Sequence, residues 1–254
     1  DQGRVVELVL DRPEAMNAVS TAMAQAIGAA CAQLRAQALA GSVRAVIVTS
    51  SHARAFCVGA DLKERKSFTD ADLMAQRPIA RAAYAGVLDL PVPAIAAVDG
   101  FALGGGCEIA LSCDIIVAGR DATLGLPEVS VGVIPGGGGT QLLTRRVGSS
   151  TAALLIFTAE RLTAQRAHDL RVVDEVVDAG CARDRALELA VVIAAHSPVG
   201  VRNAKKAIRL GSGVDLAAGL EIEDACWRAT AFSGDRREGV AAFNEKRRPD
   251  WPGI

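Results

Sequence analysis

No apolar run in this 254-residue chain approaches the roughly 18 residues that would carry a helix across a bilayer. The longest apolar stretches are interrupted by Gly, Pro or charge. An excess of one charge is also missing, since 28 basic residues face 29 acidic ones. That balance offers neither the basic footprint of a nucleic-acid binder nor an acidic tail. The six cysteines, Cys31, Cys57, Cys107, Cys113, Cys181 and Cys226, include no C-x-x-C pair, and no His-rich segment accompanies them. A zinc site or a disulfide framework is therefore not expected, and a reducing compartment is. The opening Asp1-Gln2-Gly3-Arg4 resembles neither a signal nor a transit peptide. The expected location is the cytoplasm, or an organellar matrix where a leader precedes the chain. The glycine runs contain no G-x-G-x-x-G and are followed by no P-loop lysine, which disfavours dinucleotide and nucleotide-triphosphate sites.

What is present is a chain that is 50% hydrophobic, enough for one sizeable core. Val5 to Leu10 reads as a strand, and Ser20 as the N-cap of an Ala-rich helix reaching about Ala40. Val43 to Thr49 is almost wholly apolar and is expected to be a strand buried on both faces. A helix is expected over Asp70 to Leu90, ended by Pro91 and Pro93, then strands at Ala94 to Val98, Ile115 to Ala118 and Ala122 to Leu126. Helices are expected over Cys107 to Cys113 and from about Thr140. This strand-strand-helix rhythm, continuing to about residue 180, implies an α/β core with parallel crossovers. From Asp184 onward only helices are expected: Asp184 to Ala195, Pro198 to Leu210, Asp215 to Thr230 and Arg236 to Arg247.

Two glycine-rich segments stand out, Gly59-Ala60-Asp61 and Leu103-Gly104-Gly105-Gly106. Glycine lets the chain turn tightly and lets a ligand approach main-chain N–H groups. The second segment opens a helix, whose first N–H groups are free and carry partial positive charge. Two such N–H groups on one carbonyl oxygen would form an oxyanion hole. Alone, each segment reads equally as a tight turn. Two acids lie in apolar surroundings: Glu108 in the first turn of that helix, and Glu128 in Leu126-Pro127-Glu128-Val129. Taken singly, Glu108 reads as a capping or dipole-pairing residue and Glu128 as a turn residue; an acid in such a setting is otherwise paired or functional.

These segments together carry a family resemblance. Phe56 to Glu64 (FCVGADLKE), Pro93 to Asp114 (PAIAAVDGFALGGGCEIALSCD) and Gly125 to Gln141 (GLPEVSVGVIPGGGGTQ) resemble the motifs of the enoyl-CoA hydratase/isomerase, or crotonase, superfamily. So do Asp11 to Ala18, Asp235 to Gly239 and Glu245 to Arg247, so the likeness runs along the whole chain in order. The resemblance implies an α/β fold, a spiral of repeated ββα units over 1–195 with a C-terminal helical trimerisation region over 196–254. It implies an acyl-CoA thioester as substrate, a homotrimer or homohexamer, and no separate cofactor, coenzyme A being part of the substrate. Neither a nucleic acid nor a membrane is an expected partner.

By the same resemblance, the N–H groups of Ala60 and Gly105 form the oxyanion hole, and Glu108 and Glu128 are the catalytic pair. Gly136 helps place water. Ala60, Asp61, Leu62 and Lys63 meet the coenzyme A moiety, and Lys246 reaches its nucleotide end; Lys63 and Lys246 read otherwise as solvated surface lysines. The stretch from Lys63 to Arg81 and the C-terminal helices are expected to shape the acyl pocket. Retention of both acids favours hydration over the related Δ3,Δ2-isomerisation, which typically needs one. Ala60 to Arg65 and Leu90 to Pro93 are similar to the methylglutaconyl-CoA hydratase branch, which includes a member with RNA-binding behaviour. An RNA-binding role would need a lysine-rich helical face. The cluster Arg202, Lys205, Lys206 and Arg209 reads more simply as a solvated helix face. Arg171 stands where the family usually has glycine, and Glu14 where a basic residue is common. His52, His168 and His196 read as surface or structural.

Overall fold

The computed structural model describes residues 4–254, so the first three residues of the targeting reading lie outside the described residues. Two sheets organise the core. Strands β1 (Val5–Leu10), β2 (Ala45–Ser50), β4 (Ala94–Val98), β6 (Ile115–Gly119) and β9 (Glu175–Val177) form a fully parallel five-stranded sheet in the order β1-β2-β4-β6-β9. Strands β3 (Ala55–Cys57), β5 (Phe101–Leu103), β7 (Thr123–Gly125) and β8 (Arg161–Thr163) form a second sheet, with β8 antiparallel to β7. Each of β2, β4 and β6 sends the chain directly to its neighbour β3, β5 or β7 in the other sheet before helical structure returns it. This is the expected spiral of ββα units. The short strands β3 and β5 lie in stretches that read from sequence only as the approach to glycine turns.

Alternation along the strands sorts the core into two. Val46, Val48, Ala96 and Ile116 join a cluster with α1 (Thr21–Leu39) and α3 (Asp70–Leu88). Their neighbours Ala45, Ile47, Ile95 and Val117 face the opposite way, onto α8 (Ala182–Ala194). That helix presents Ala182, Ala186 and Ala190, all fully buried, at a four-residue spacing. Small side chains on one stripe let the helix sit close to the sheet. Helix α1 starts at Ser20, whose side chain accepts from the Met23 N–H, and α3 starts at a Thr69–Asp72 capping box.

Four-residue α2 (Leu62–Arg65) and the helices α4 (Gly105–Ser112), α5 (Gly139–Val147), α6 (Ser149–Phe157) and α7 (Ala164–Asp169) complete the body up to α8. Helices α9 (Pro198–Gly211), α10 (Leu216–Ala231) and α11 (Gly234–Glu245) follow. Three of the four basic residues of the α9 cluster, Arg202, Lys205 and Arg209, are not the solvated face expected from sequence, whereas Lys206 is exposed as expected. Lys205 Nζ donates to Val92 O at 2.8 Å and to Asp114 Oδ2 at 2.7 Å. Arg209 donates to Asp114 Oδ1 and Ser112 O, and Arg202 to Ala38 O and Gly253 O. These cations satisfy carbonyl ends and one acid of the core, so they dock α9 instead of offering a basic surface. Arg171 does adopt a left-handed φ of 62°, a conformation that strains a residue with a Cβ.

Candidate active site

The two glycine segments meet at the edge of the second sheet. Gly59 follows β3 with φ 92°, and Gly104 follows β5 with φ 52° and ψ −124°. Both conformations strain residues with a Cβ, and space is short as well: a Cβ on Gly59 would lie 3.1 Å from Gly105 N. Strands β3 and β5 are paired, so the segments that leave them are adjacent by construction. The Gly105 N–H is the first of α4 and the Ala60 N–H follows the other turn; neither donates to another main-chain group among the described residues. Both residues line one cleft of about 1080 Å³.

Glu108 and Glu128 line the same cleft. Glu108 projects from the first turn of α4, a helix buried along its whole length, and is only 3% exposed. Its Oε1 accepts from the Gly137 N–H at 2.6 Å and the Gly139 N–H at 2.8 Å. Burial raises its proton affinity, while those two N–H groups and the guanidinium groups of Arg77 and Arg65 oppose the rise. Glu128 opens a 3-10 turn over Glu128–Val131. Its Oε2 is buried with no hydrogen-bond partner. Burial, with the charge of Glu108 adding to it, pushes its carboxyl up to about 7. A Cβ on Gly104 would lie 3.1 Å from Glu128 Oε1, so this acid sits over the turn that supplies the Gly105 donor.

Gly136 lines the cleft beside this pair, and Leu62 lines it at its exposed side. Asp61 is placed differently from its expected role as a substrate contact. Its Oδ1 accepts from the Lys63 and Glu64 N–H groups, and its Oδ2 takes the Arg12 guanidinium at 2.6 Å. The carboxylate is thus consumed in capping α2 and anchoring the loop, and Arg12 beside it lowers its proton affinity. Lys63 and Lys246 are exposed and stand outside the cleft lining of this chain. The stretch expected as a pocket loop is mostly α3, from which Leu73, Met74, Arg77 and Arg81 line the cleft; no residue of α9, α10 or α11 does so.

Three features of the cleft were missed from sequence. Gly137 and Gly139 hold Glu108, Tyr84 of α3 forms part of the wall, and Arg65, Arg77 and Arg81 put positive charge along it. The doubled glycine run 136–139 was a signal for the first. The stretch Lys63 to Arg81 is expected at the pocket, but nothing in its pattern singles out Arg65, Arg77 or Arg81, and Tyr84 lies beyond it.

Two main-chain donors and two acids around one cleft can polarise a carbonyl and move protons on either side of it. A family model described as enoyl-CoA hydratase/isomerase matches residues 1–253. The chain belongs to the enoyl-CoA hydratase/isomerase family. Among solved structures, an enoyl-CoA hydratase from Bacillus anthracis superposes with a TM-score of 0.95 at 39% identity, covering 99% of this chain and 96% of that one. The 2,3-dehydroadipyl-CoA hydratase of Escherichia coli is 41% identical over 253 residues, 99% of this chain and 96% of the relative. The mitochondrial methylglutaconyl-CoA hydratase of Mus musculus is 41% identical over 253 residues, 98% of this chain and 80% of the relative. No helix among the described residues is long and apolar enough to cross a membrane.

Proposed function

We propose that this enzyme adds water reversibly across the C2–C3 double bond of a 2-enoyl-CoA thioester to give the 3-hydroxyacyl-CoA. The observation that carries the reading is a buried acid, Glu108, and a half-buried one with a sealed carboxyl oxygen, Glu128, beside two free N–H donors. The Ala60 and Gly105 N–H groups take the thioester oxygen, and negative charge gathers there as water attacks C3. One such donor contributes about 3 kcal/mol to the transition state in comparable sites. Glu108, held by two N–H groups that favour its anion, orients the water and accepts its proton. Glu128, whose carboxyl titrates near 7, delivers a proton to C2. One water O–H bond, the Glu128 O–H bond and the C2–C3 π bond break, C3–O, C2–H and Glu108 O–H bonds form, and transfer of that proton from Glu108 to Glu128 restores both acids. The steps are attack of water on C3, proton transfers and hydrogen bonds, and the chain's own carboxyl and N–H groups supply the acid, the base and the donors. Glu108→Gln and Glu128→Gln are each expected to slow crotonyl-CoA hydration by at least about 100-fold. Near-normal rates in both variants would overturn the reading, and an isomerase would survive loss of one.

A more specific substrate is favoured by Arg65, Arg77 and Arg81. All three line the cleft, and none has an acid partner among the described residues. Beside the apolar Leu73, Met74, Val133 and Ile134 they suit a short acyl chain that ends in a carboxylate. Two similar enzymes carry the names of such substrates, 2,3-dehydroadipyl-CoA and methylglutaconyl-CoA. Arg81→Met should cut kcat/KM for a carboxylated enoyl-CoA at least about tenfold while sparing crotonyl-CoA. An equal fall for both substrates would assign the guanidinium to coenzyme A phosphate instead.

The assembly is read as a homotrimer or homohexamer built on the C-terminal helices over 196–254. Support comes from Trp227, Phe232 and Phe243, exposed by 64%, 81% and 84% in the single chain. Lys63 and Lys246 are then free to meet phosphate, Lys246 from a neighbouring subunit. Six unpaired thiols suit a reducing cytoplasm or organellar matrix.

A further inference from the structure

Tyr84 is the one tyrosine in the sequence. It lies on the inward face of α3 with Ala80, Ala83 and Val87, and it is 7% exposed. A buried phenol ordinarily finds a partner for its hydroxyl. This hydroxyl bonds to no group among the described residues and is not one of the sealed, unpartnered atoms, so it opens into the cleft that its side chain helps to wall. Its place in that wall is narrowly defined. A Cβ on Gly105 would collide with the Tyr84 oxygen, and a Cβ on Gly137 would lie 2.7 Å from its ring. The ring therefore spans from the Gly105 donor to the loop that holds Glu108. Its hydroxyl is at the Gly105 end. Burial and the nearby carboxylates of Glu108 and Glu128 raise the proton affinity of the phenol, so it stays neutral and is available as a donor.

We propose that Tyr84 is a third hydrogen-bond donor at the reaction centre, its O–H directed at the thioester oxygen held by the Ala60 and Gly105 N–H groups. The assignment rests on the hydratase reading above. An enolate-like oxygen has room for three donors, and a phenol at the end of a packed ring is preorganised to be one of them. The ring explains the packing against two glycines; the unpartnered oxygen is what the substrate would complete.

Tyr84→Phe removes the oxygen and keeps the ring. It should lower kcat for crotonyl-CoA hydration roughly tenfold or more, with a smaller change in KM and unmoved pH limbs. A spectroscopic arm reads the carbonyl directly. The absorption of bound 2,4-hexadienoyl-CoA shifts to longer wavelength as its thioester is polarised. In a Glu128→Gln background, which holds the probe unreacted, Tyr84→Phe should reduce that shift. A normal kcat with an unchanged shift would overturn the assignment. So would an unchanged shift with a displaced pH limb, which would place the hydroxyl on Glu108. If the protein with Tyr84 intact neither hydrates crotonyl-CoA nor shifts the probe, the hydratase reading falls with it.

Discussion

Glu108 and Glu128 carry the same side chain in two regions built on opposite terms. The Glu108 region is a helix end buried on every side, with two N–H groups of the 136–139 loop closing on one carboxyl oxygen. The Glu128 region is a 3-10 turn with no fully buried residue, yet it seals one carboxyl oxygen away from any donor. Donors to a carboxylate favour its charged form, and burial without donors favours the neutral one. Burial raises the proton affinity of both acids; in the first region two N–H groups and nearby guanidinium groups oppose the rise, and in the second the charge of Glu108 adds to it, keeping a proton within reach of neutral pH. On the proposed hydratase reading, that difference suits Glu108 to the part of base and Glu128 to that of acid.

The sharpest way to break the comparison is kinetic. Glu128→Gln is expected to lose roughly 1,000-fold in kcat, and Glu108→Gln a similar or smaller amount. The two should differ in which side of the pH profile disappears. Glu128 must be protonated to serve C2, so kcat/KM should fall as pH rises through about 7, and Glu128→Gln should abolish that limb. Glu108 must be ionised to take the water proton, so its limb is acidic and stands above the ordinary carboxylate range. Loss of the same limb in both variants would mean that the pair does not divide the work.

A structural acid supplies the next contrast. Asp114 is held by Lys205, Arg209 and the Ala94 N–H, where Glu128 Oε2 has nothing. Lys205→Met should cost about 2 kcal/mol of stability, reduced from the value of a fully buried pair because Asp114 is partly exposed. Urea unfolding would measure it, with kcat little changed. A last effect concerns stability and pH. The Glu128 carboxyl is raised in the folded state, so its contribution is present below the unfolded value near 4.5 and is lost as pH rises through about 7. Glu128→Gln should therefore be the more stable protein at pH 8, with the gap closing toward pH 5. A gap that stayed constant with pH would mean that the carboxyl is not raised in the fold.

Much of the framework was legible along the chain. Val43 to Thr49, apart from Arg44 and Thr49, and Ala94 to Val98 are apolar at every position, as strands covered on both faces must be, and β2 and β4 are buried on both. Both glutamates were visible as acids among apolar residues next to glycine. The three-residue strands β3 and β5 were not legible, because three residues carry no period. Nor was the destination of Lys205 and Arg209, whose partner Asp114 is 91 and 95 residues away. Asp61 looked like a ligand contact by its position in a motif, while its side chain turned to Arg12, 49 residues earlier.

By itself the sequence determined the pieces that depend on neighbours in the chain. These are the alternation that splits the core, the caps at Ser20 and Thr69, and the glycines that permit the backbone at 59 and 104. It also placed one acid, Glu108, three residues after the Gly105 N–H in the first turn of the same helix. Only the tertiary structure decided what the two acids are. The proton affinity of Glu128 comes from burial and from the charge of Glu108, twenty residues away in the chain. The anchoring of Glu108 comes from N–H groups 29 and 31 residues away. Solvation and charge act through space, so they exist only once the two sheets and α3 have closed around the cleft.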